Sequence, residues 1–316
     1  MSWDDVILAE ADPGTDLRPA LERLFQEARA GWPLWRAGDE ALHGVKVKTI
    51  VDRGQRVLVQ TNPGRSRSVH AAVDPTSVAA RPCFLCAENL PPGECGVAWR
   101  DLVLLPNPHP IVPRHLTIPS RRHEPQALRG RAHDLVGLAR GLGEGMVVLY
   151  NGPRCGASAP DHFHFQAGVA SMPALELVTP DPALDGRQAI SSFGRHFVAL
   201  FDADADRLVE RIENALAAWG HVHPDQGEPM CNVLVHWQRA LGTALFFPRR
   251  AHRPAAFFAR GEQHIGVSPA AIEMAGILVV TDAVSFERLD AHAARAVFEE
   301  VSAAPREFAA FLELLS

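Results

Sequence analysis

The chain has 316 residues, 47% of them hydrophobic and 22% charged, and a net charge of −6. This is the composition of a soluble globular protein, long enough for two ordinary domains or one large one. The acidic balance excludes a general nucleic-acid binder, which is normally basic. No apolar run approaches the roughly 18 residues of a membrane span. The start, Met1-Ser-Trp-Asp-Asp, lacks the basic and apolar regions of a signal peptide. Five cysteines, at 83, 86, 95, 155 and 231, are an odd count at low density. They do not suit a secreted disulfide scaffold, so a cytoplasmic protein without membrane or nucleic-acid partners is expected.

In chain order, Leu17, Leu21, Leu24 and Phe25 recur at helical spacing and predict a first helix over residues 16–30. Residues 45–50 and 56–61 flank Asp52-Arg-Gly and read as a hairpin, followed by a long loop over 63–81. Short strands are expected at 102–105 and 115–118, separated by a proline-rich stretch. A helix over 125–142 leads to a buried strand at 146–150, whose expected partner is 161–168. The second half repeats this order loosely. A helix is expected at 205–219, strands at 232–237, 243–247 and 277–281, and mostly helix over 286–311. There is no low-complexity linker, and residues 181–187 make the best candidate boundary.

The most informative stretch is 151–166, Asn-Gly-Pro-Arg-Cys-Gly-Ala-Ser-Ala-Pro-Asp-His-Phe-His-Phe-Gln. Phe163 and Phe165 alternate with His162, His164 and Gln166, so a strand would put the two imidazoles and the amide on one face. An imidazole can attack phosphorus, and N–H groups of a loop rich in small residues can hold phosphate oxygens. Asn151, Gly152, Gly156 and Ser158 are the candidate loop donors. Cys83-Phe-Leu-Cys86 has the two-residue spacing that lets both thiolates grip one Zn²⁺, with a redox pair as the rival. Bulky Phe84 and Leu85, and the lack of a surrounding βαβ unit, favour metal. Cys95, Cys155 and Cys231 read as small buried or loop residues.

These motifs resemble the histidine-triad superfamily, in the branch whose third motif residue is Gln. That branch contains galactose-1-phosphate uridylyltransferase, diadenosine tetraphosphate phosphorylase and GDP-D-glucose phosphorylase. The resemblance covers about residues 45–285 and is strongest at 82–86, 107–126 and 151–168. It implies an α+β fold: an antiparallel sheet with helices packed on one side, built from two histidine-triad-like halves. An N-terminal helical segment (1–44) would precede a catalytic half (45–180) and a second half (181–316) that completes the substrate pocket.

The resemblance also implies nucleotidyl transfer through a covalent nucleotidyl-histidine. His164 would be the nucleophile, and Gln166 a non-titrating donor to a phosphoryl oxygen. A structural zinc would be held by Cys83, Cys86, His123 and His162. Asn107 and His115 are pocket candidates, and Asn62 and Arg65 could contact phosphate or base. Arg250 and Arg253, in the run Phe247-Pro-Arg-Arg-Ala-His-Arg-Pro, would bind the acceptor or leaving group. The expected activity is a phosphorylase acting on a nucleotide sugar of the GDP-glucose type, with phosphate or a sugar 1-phosphate as acceptor. Diadenosine tetraphosphate phosphorylase, hexose-1-phosphate uridylyltransferase and a non-enzymatic nucleotide sensor are the alternatives. The resemblance also admits a homodimer.

Overall fold

The structure is a computed structural model that describes residues 1–62, 75–181, 185–224 and 227–315. Thirteen strands occur among these residues: β1 (Ile7–Ala11), β2 (Val47–Asp52), β3 (Gln55–Thr61), β4 (Gly96–Trp99), β5 (Leu102–Pro106), β6 (Leu116–Pro119), β7 (Met146–Asn151), β8 (His164–Val169), β9 (Arg187–Ser192), β10 (Arg195–Asp202), β11 (Cys231–Gln238), β12 (Leu241–Pro248) and β13 (Ile277–Val280). Ten of them form one sheet in the order β1-β4-β5-β6-β8-β7-β11-β12-β10-β9, and β13-β3-β2 form a second. The large sheet is antiparallel except at its edge, where β1 pairs with β4 in parallel. No described helix is long and apolar enough to cross a membrane.

The large sheet contains two quartets with the same connectivity. β5, β6, β7 and β8 lie in the order first, second, fourth, third, with the helix Ala132–Leu142 between the second and third. β9, β10, β11 and β12 repeat that order, with the helix Ala205–Val222 in the same place. The third strands meet: β7 and β11 pair antiparallel, Leu149 opposite Leu234, and join the quartets into one sheet.

Strand alternation gives the sheet two apolar faces. Val148, Tyr150, Val233, Val235, Ala244 and Phe246 pack with helices 18–31, 132–142, 205–222 and 305–314. Their neighbours Val147, Leu149, Leu234, Leu245 and Phe247 pack with β3, β13 and helices 271–274 and 291–301. The expected α+β architecture is present, and the small sheet covers the face that the sequence reading left open. Phe163, Phe165 and Ala167 belong to the helix-side core, so alternation along β8 turns His164 and Gln166 to the opposite face.

Three local expectations change. The helix predicted from residue 125 begins at Ala132, because the preceding segment runs irregularly and its Gln126 side chain is used elsewhere. β8 begins at His164 rather than at 161. β6 ends opposite it in Pro119, which has no N–H to continue the ladder. His162 therefore lies just outside the strand. β1, β4, β9 and β10 were not anticipated.

Candidate active site and metal centre

His164 opens β8 and is 3% exposed. Its backbone N–H donates to Gln126 Oε1 at 2.8 Å, and Gln126 Nε2 donates to the carbonyls of His164 (3.0 Å) and Asn151 (2.9 Å). One amide side chain thus ties the start of β8 to the end of β7. The His164 ring has Nδ1 2.8 Å from the His162 carbonyl oxygen. A carbonyl only accepts, so Nδ1 carries the proton and Nε2 carries the lone pair. Nε2 has no hydrogen-bond partner among the described residues, and the side chain lines a cavity. Burial, ahead of every other influence, pushes the pKa of His164 down to about 4, which keeps the ring neutral at pH 7.

Two compartments meet at this point. The larger has a volume of about 470 Å³ and is lined by Arg81, Phe84, Leu85, Leu90, Glu94, Leu105, Asn107 and His164, among others. The smaller, of about 50 Å³, is lined by Asn151, Gly156, His252, Arg253, Ser268 and Glu273, among others. Ser158 and Gln166 line both. The larger compartment is mostly apolar with a few polar groups, and the smaller is dominated by polar ones.

The loop before β8 is held tightly. Asn151 Oδ1 accepts from Asn232 Nδ2 (3.0 Å) and from the Ala271 N–H (2.8 Å), joining β7, β11 and the short helix 271–274. A Cβ on Gly152 would lie 2.8 Å from both Cys155 Sγ and the Cys231 oxygen. Gly156 has φ +117°, and a Cβ there would lie 2.6 Å from Ala270 Cβ and 2.9 Å from Ala270 Cα. Gly156→Ala is expected to destabilise the protein by about 2 kcal/mol or more through backbone strain plus overlap. Gly130→Ala, at φ +74° with nothing within 4 Å, should lose only the backbone part, about 1 kcal/mol. Urea unfolding of the two variants checks this, and equal losses would remove the close approach at Ala270 from the account.

The four cysteines and histidines expected to bind metal converge. The ligating atoms of Cys83, Cys86, His123 and His162 all lie within 4.8 Å of one another. Cys83 Sγ is 3.2 Å from His162 Nδ1, and Cys86 Sγ is 3.3 Å from His123 Nδ1 and 3.5 Å from His162 Nδ1. Tetrahedral zinc, with bonds of roughly 2.3 Å to sulfur and 2.0 Å to nitrogen, places S and N about 3.5 Å apart. His162 Nε2 is 2.8 Å from the Ser120 carbonyl oxygen, so Nε2 carries the proton and Nδ1 presents its lone pair to the sulfurs. The cluster could hold a metal ion, and its S₂N₂ donor set fits zinc. Cys95 is not part of it.

The remaining candidates separate. Asn107 lines the larger compartment while bonding Thr117 Oγ1 (3.0 Å) and the His109 N–H (2.8 Å). His115 is 1% exposed, accepts the Ile111 N–H at Nδ1 (3.1 Å) and has Nε2 3.4 Å from Gln166 Oε1. It can orient Gln166 from behind. Asn62 donates to the Pro110 carbonyl (2.9 Å), bracing the proline-rich loop rather than facing either compartment. Arg65 lies outside the described residues.

The arginine run divides three ways. Arg249, 1% exposed, clamps the carbonyls of Pro269, Ala251, His252 and Val301 and the Asn232 side chain. Arg250 turns away to the Glu299 and Glu300 carbonyls and is not brought to the two compartments. Arg253 reaches the smaller compartment, with Nε bonded to Ser268 Oγ at 2.9 Å and the guanidinium over the Phe257 ring.

Four residues that contribute here had no individual role in the sequence reading, although His252 lay in the run expected to bind the acceptor or leaving group. Gln126 fixes both strand ends. Arg81 lines the larger compartment, stacks 5.0 Å over Phe84 and donates to the Ser158 carbonyl at 2.6 Å. His252 lines the smaller one, with burial first and then Arg253 and Arg249 lowering its pKa to about 3. Glu94 lies in the wall of the larger one. Arg81 stands two residues before Cys83, and Gln126 three after His123, so adjacency to the metal motif was the available signal.

A family profile described only as a domain of unknown function (DUF4922) matches residues 24–169. No curated protein sequence matches the chain. Among solved structures, yeast Ap4A phosphorylase Apa2 is similar at 17% identity and a TM-score of 0.55, over 91% of this chain and 94% of that one. Its complex with AMP gives 17% identity and a TM-score of 0.57 over 91% and 96%. Its complex with Ap4A gives 18% and 0.52 over 91% and 97%. The chain therefore shares its fold with that protein along nearly its whole length.

Proposed function

We propose that this protein is a nucleotidyltransferase of the phosphorylase type that works through a covalent nucleotidyl-histidine. The observation that carries the reading is the His164 ring, with Nδ1–H held by a backbone carbonyl and Nε2 unpartnered where the two compartments meet. The nucleoside of the donor would occupy the larger compartment, with its α-phosphate between Nε2, Gln166, Ser158 and Arg81. The Nε2 lone pair forms the N–P bond as the P–O bond to the leaving group breaks. The positive charge that develops on the ring is stabilised through Nδ1–H and the His162 carbonyl, and Gln166 and Arg81 match the charge on the phosphoryl oxygens. A phosphate oxygen in the smaller compartment, near Arg253 and Ser268, then attacks phosphorus and the N–P bond breaks. Phosphorolysis follows from a neutral amide at Gln166, which offers no base to activate water.

A dinucleoside polyphosphate is the donor this reading favours, because the full-length fold similarity is to Ap4A phosphorylase. That places diadenosine tetraphosphate phosphorylase, first weighed as an alternative, ahead of an NDP-hexose phosphorylase of the GDP-glucose type. The two quartets would be a duplicated unit. The first carries His164, and the chain that follows the second supplies Arg253, Ser268 and the clamp at Arg249. In the second, β12 occupies the place of β8 but reads Leu-Gly-Thr-Ala-Leu-Phe-Phe-Pro, so one nucleophile serves the whole chain. The cluster at Cys83 and His162 would hold a structural zinc, because four protein ligands leave no open coordination position.

The test is intact-protein mass spectrometry after mixing with diadenosine tetraphosphate and with GDP-, ADP- and UDP-hexoses, phosphate omitted. A nucleotidyl mass located on His164 and discharged by added phosphate is expected. Turnover of any donor without a trapped adduct, and without a need for phosphate, would overturn the covalent phosphorylase reading.

A further inference from the structure

We infer that Glu94 reads the base of the donor nucleotide by accepting a hydrogen bond from an exocyclic amino group at the reach of a purine, so that the larger compartment selects purine over pyrimidine nucleotides. This rests on the reading that the compartment takes the donor nucleoside. Glu94 follows the turn Pro91-Pro-Gly93, just before β4, and is 8% exposed. Among the described residues it is the one acidic side chain lining the compartment, whose wall combines Leu34, Leu85, Leu90 and Leu105 with polar groups such as Asn89 and Asn107. No side-chain hydrogen bond or ion pair reaches it among the described residues, and burial alone raises its pKa to about 8. A buried carboxyl group without a partner is a standing cost to the fold. A ligand carrying N–H donors would offset that cost.

The placement suits the far end of a nucleotide. β4 is three strands from β8 in the order β4-β5-β6-β8, a lateral distance of about 14 Å at normal strand spacing. Thr117 pairs with Leu105 on one side and with Gln166 on the other. Glu94 and His164 thus both line the larger compartment, and the strands they adjoin are three spacings apart. With the phosphate at His164, the Watson–Crick edge of a purine lies one fused ring further out than that of a pyrimidine. Adenine presents N6–H₂ and N1 along that edge, and guanine presents N1–H and N2–H₂. A neutral carboxyl matches the donor and acceptor of adenine, whereas a carboxylate matches the two donors of guanine. Both share the amino donor to Glu94.

Isothermal titration of the full-length protein with AMP, GMP, UMP and CMP tests this. The wild type is expected to bind at least one purine nucleotide about 10-fold or more tightly than either pyrimidine nucleotide, and Glu94→Leu to lose that margin. Glu94→Gln tells the purines apart. An amide retains a matched donor and acceptor for adenine but loses one acceptor for guanine. Melting temperatures of both variants report whether they fold. A Glu94→Leu variant that folds and keeps the wild-type purine-to-pyrimidine ratio overturns the inference alone, as does equal wild-type affinity for pyrimidines. If no nucleotide binds the wild type, the reading of the compartment fails and the inference fails with it.

Discussion

His164→Ala is expected to lower phosphorolytic turnover by at least about 10⁴-fold and to abolish the nucleotidyl adduct, while the protein remains folded and binds nucleotide. Loss of a covalent nucleophile is among the largest single-residue effects in catalysis, because what remains is only positioning and charge stabilisation by other groups. The structural cost is much smaller. The side chain makes one hydrogen bond, from Nδ1 to the His162 carbonyl, worth about 1 kcal/mol. The backbone N–H of residue 164 still donates to Gln126, and the carbonyl still accepts from it. Melting should therefore shift by only a few degrees. Steady-state phosphorolysis, titration with the product nucleotide and a melting curve check the three parts. A variant that retains a tenth of wild-type turnover while folded would remove His164 from the chemistry, whatever happened to binding.

How much of this site was legible in the sequence depends on what kind of constraint made each part. His164 and Gln166 were legible because alternation with Phe163 and Phe165 fixes their face, and those phenylalanines do bury on the helix side. The hairpin of β2 and β3 was legible because Arg53 and Gly54 at its turn both need positive φ, +51° and +77°. The pairing of β7 with β8, the helix 205–222 and the strands β11, β12 and β13 were legible too, whereas β9 and β10 were not. Gln126 was absorbed into a predicted helix, because no local pattern reports that its amide is needed at two strand ends. Arg249 and Arg250 are adjacent in sequence but divide inward and outward as the chain leaves β12, so three arginines counted as one site became a clamp, a surface contact and a site residue. Glu94 is a lone acid in a turn. Only its burial in the wall of the larger compartment distinguishes it from the exposed Glu88 nearby.

Cys83→Ser is expected to remove the metal and to lower the melting temperature by about 10 °C or more, a stability loss of several kcal/mol. The magnitude follows from what the cluster ties together. Cys83 and Cys86 lie on the segment that also places Arg81, Phe84, Leu85 and Leu90 in the wall of the larger compartment. The segment has little regular structure beyond the 3₁₀ turn Ala87–Asn89, so its own backbone hydrogen bonds hold it weakly. His162 and His123 come from the approach to β8 and from the irregular run before helix 132–142, which are separate parts of the fold. An ion bound by all four links three segments, and its binding free energy adds to folding because the unfolded chain has no such site. Nucleotide affinity should fall together with stability, since the compartment wall moves with the loop. Zinc content by atomic emission, melting with and without a chelator, and AMP titration measure the three effects. Cys95→Ser is the control: Cys95 is outside the cluster and packs at the edge of the helix-side core, so zinc content should not change. A wild-type protein that purifies without zinc and melts at the same temperature with or without chelator would remove the metal centre, and a Cys83–Cys86 redox pair would then have to be tested by thiol titration.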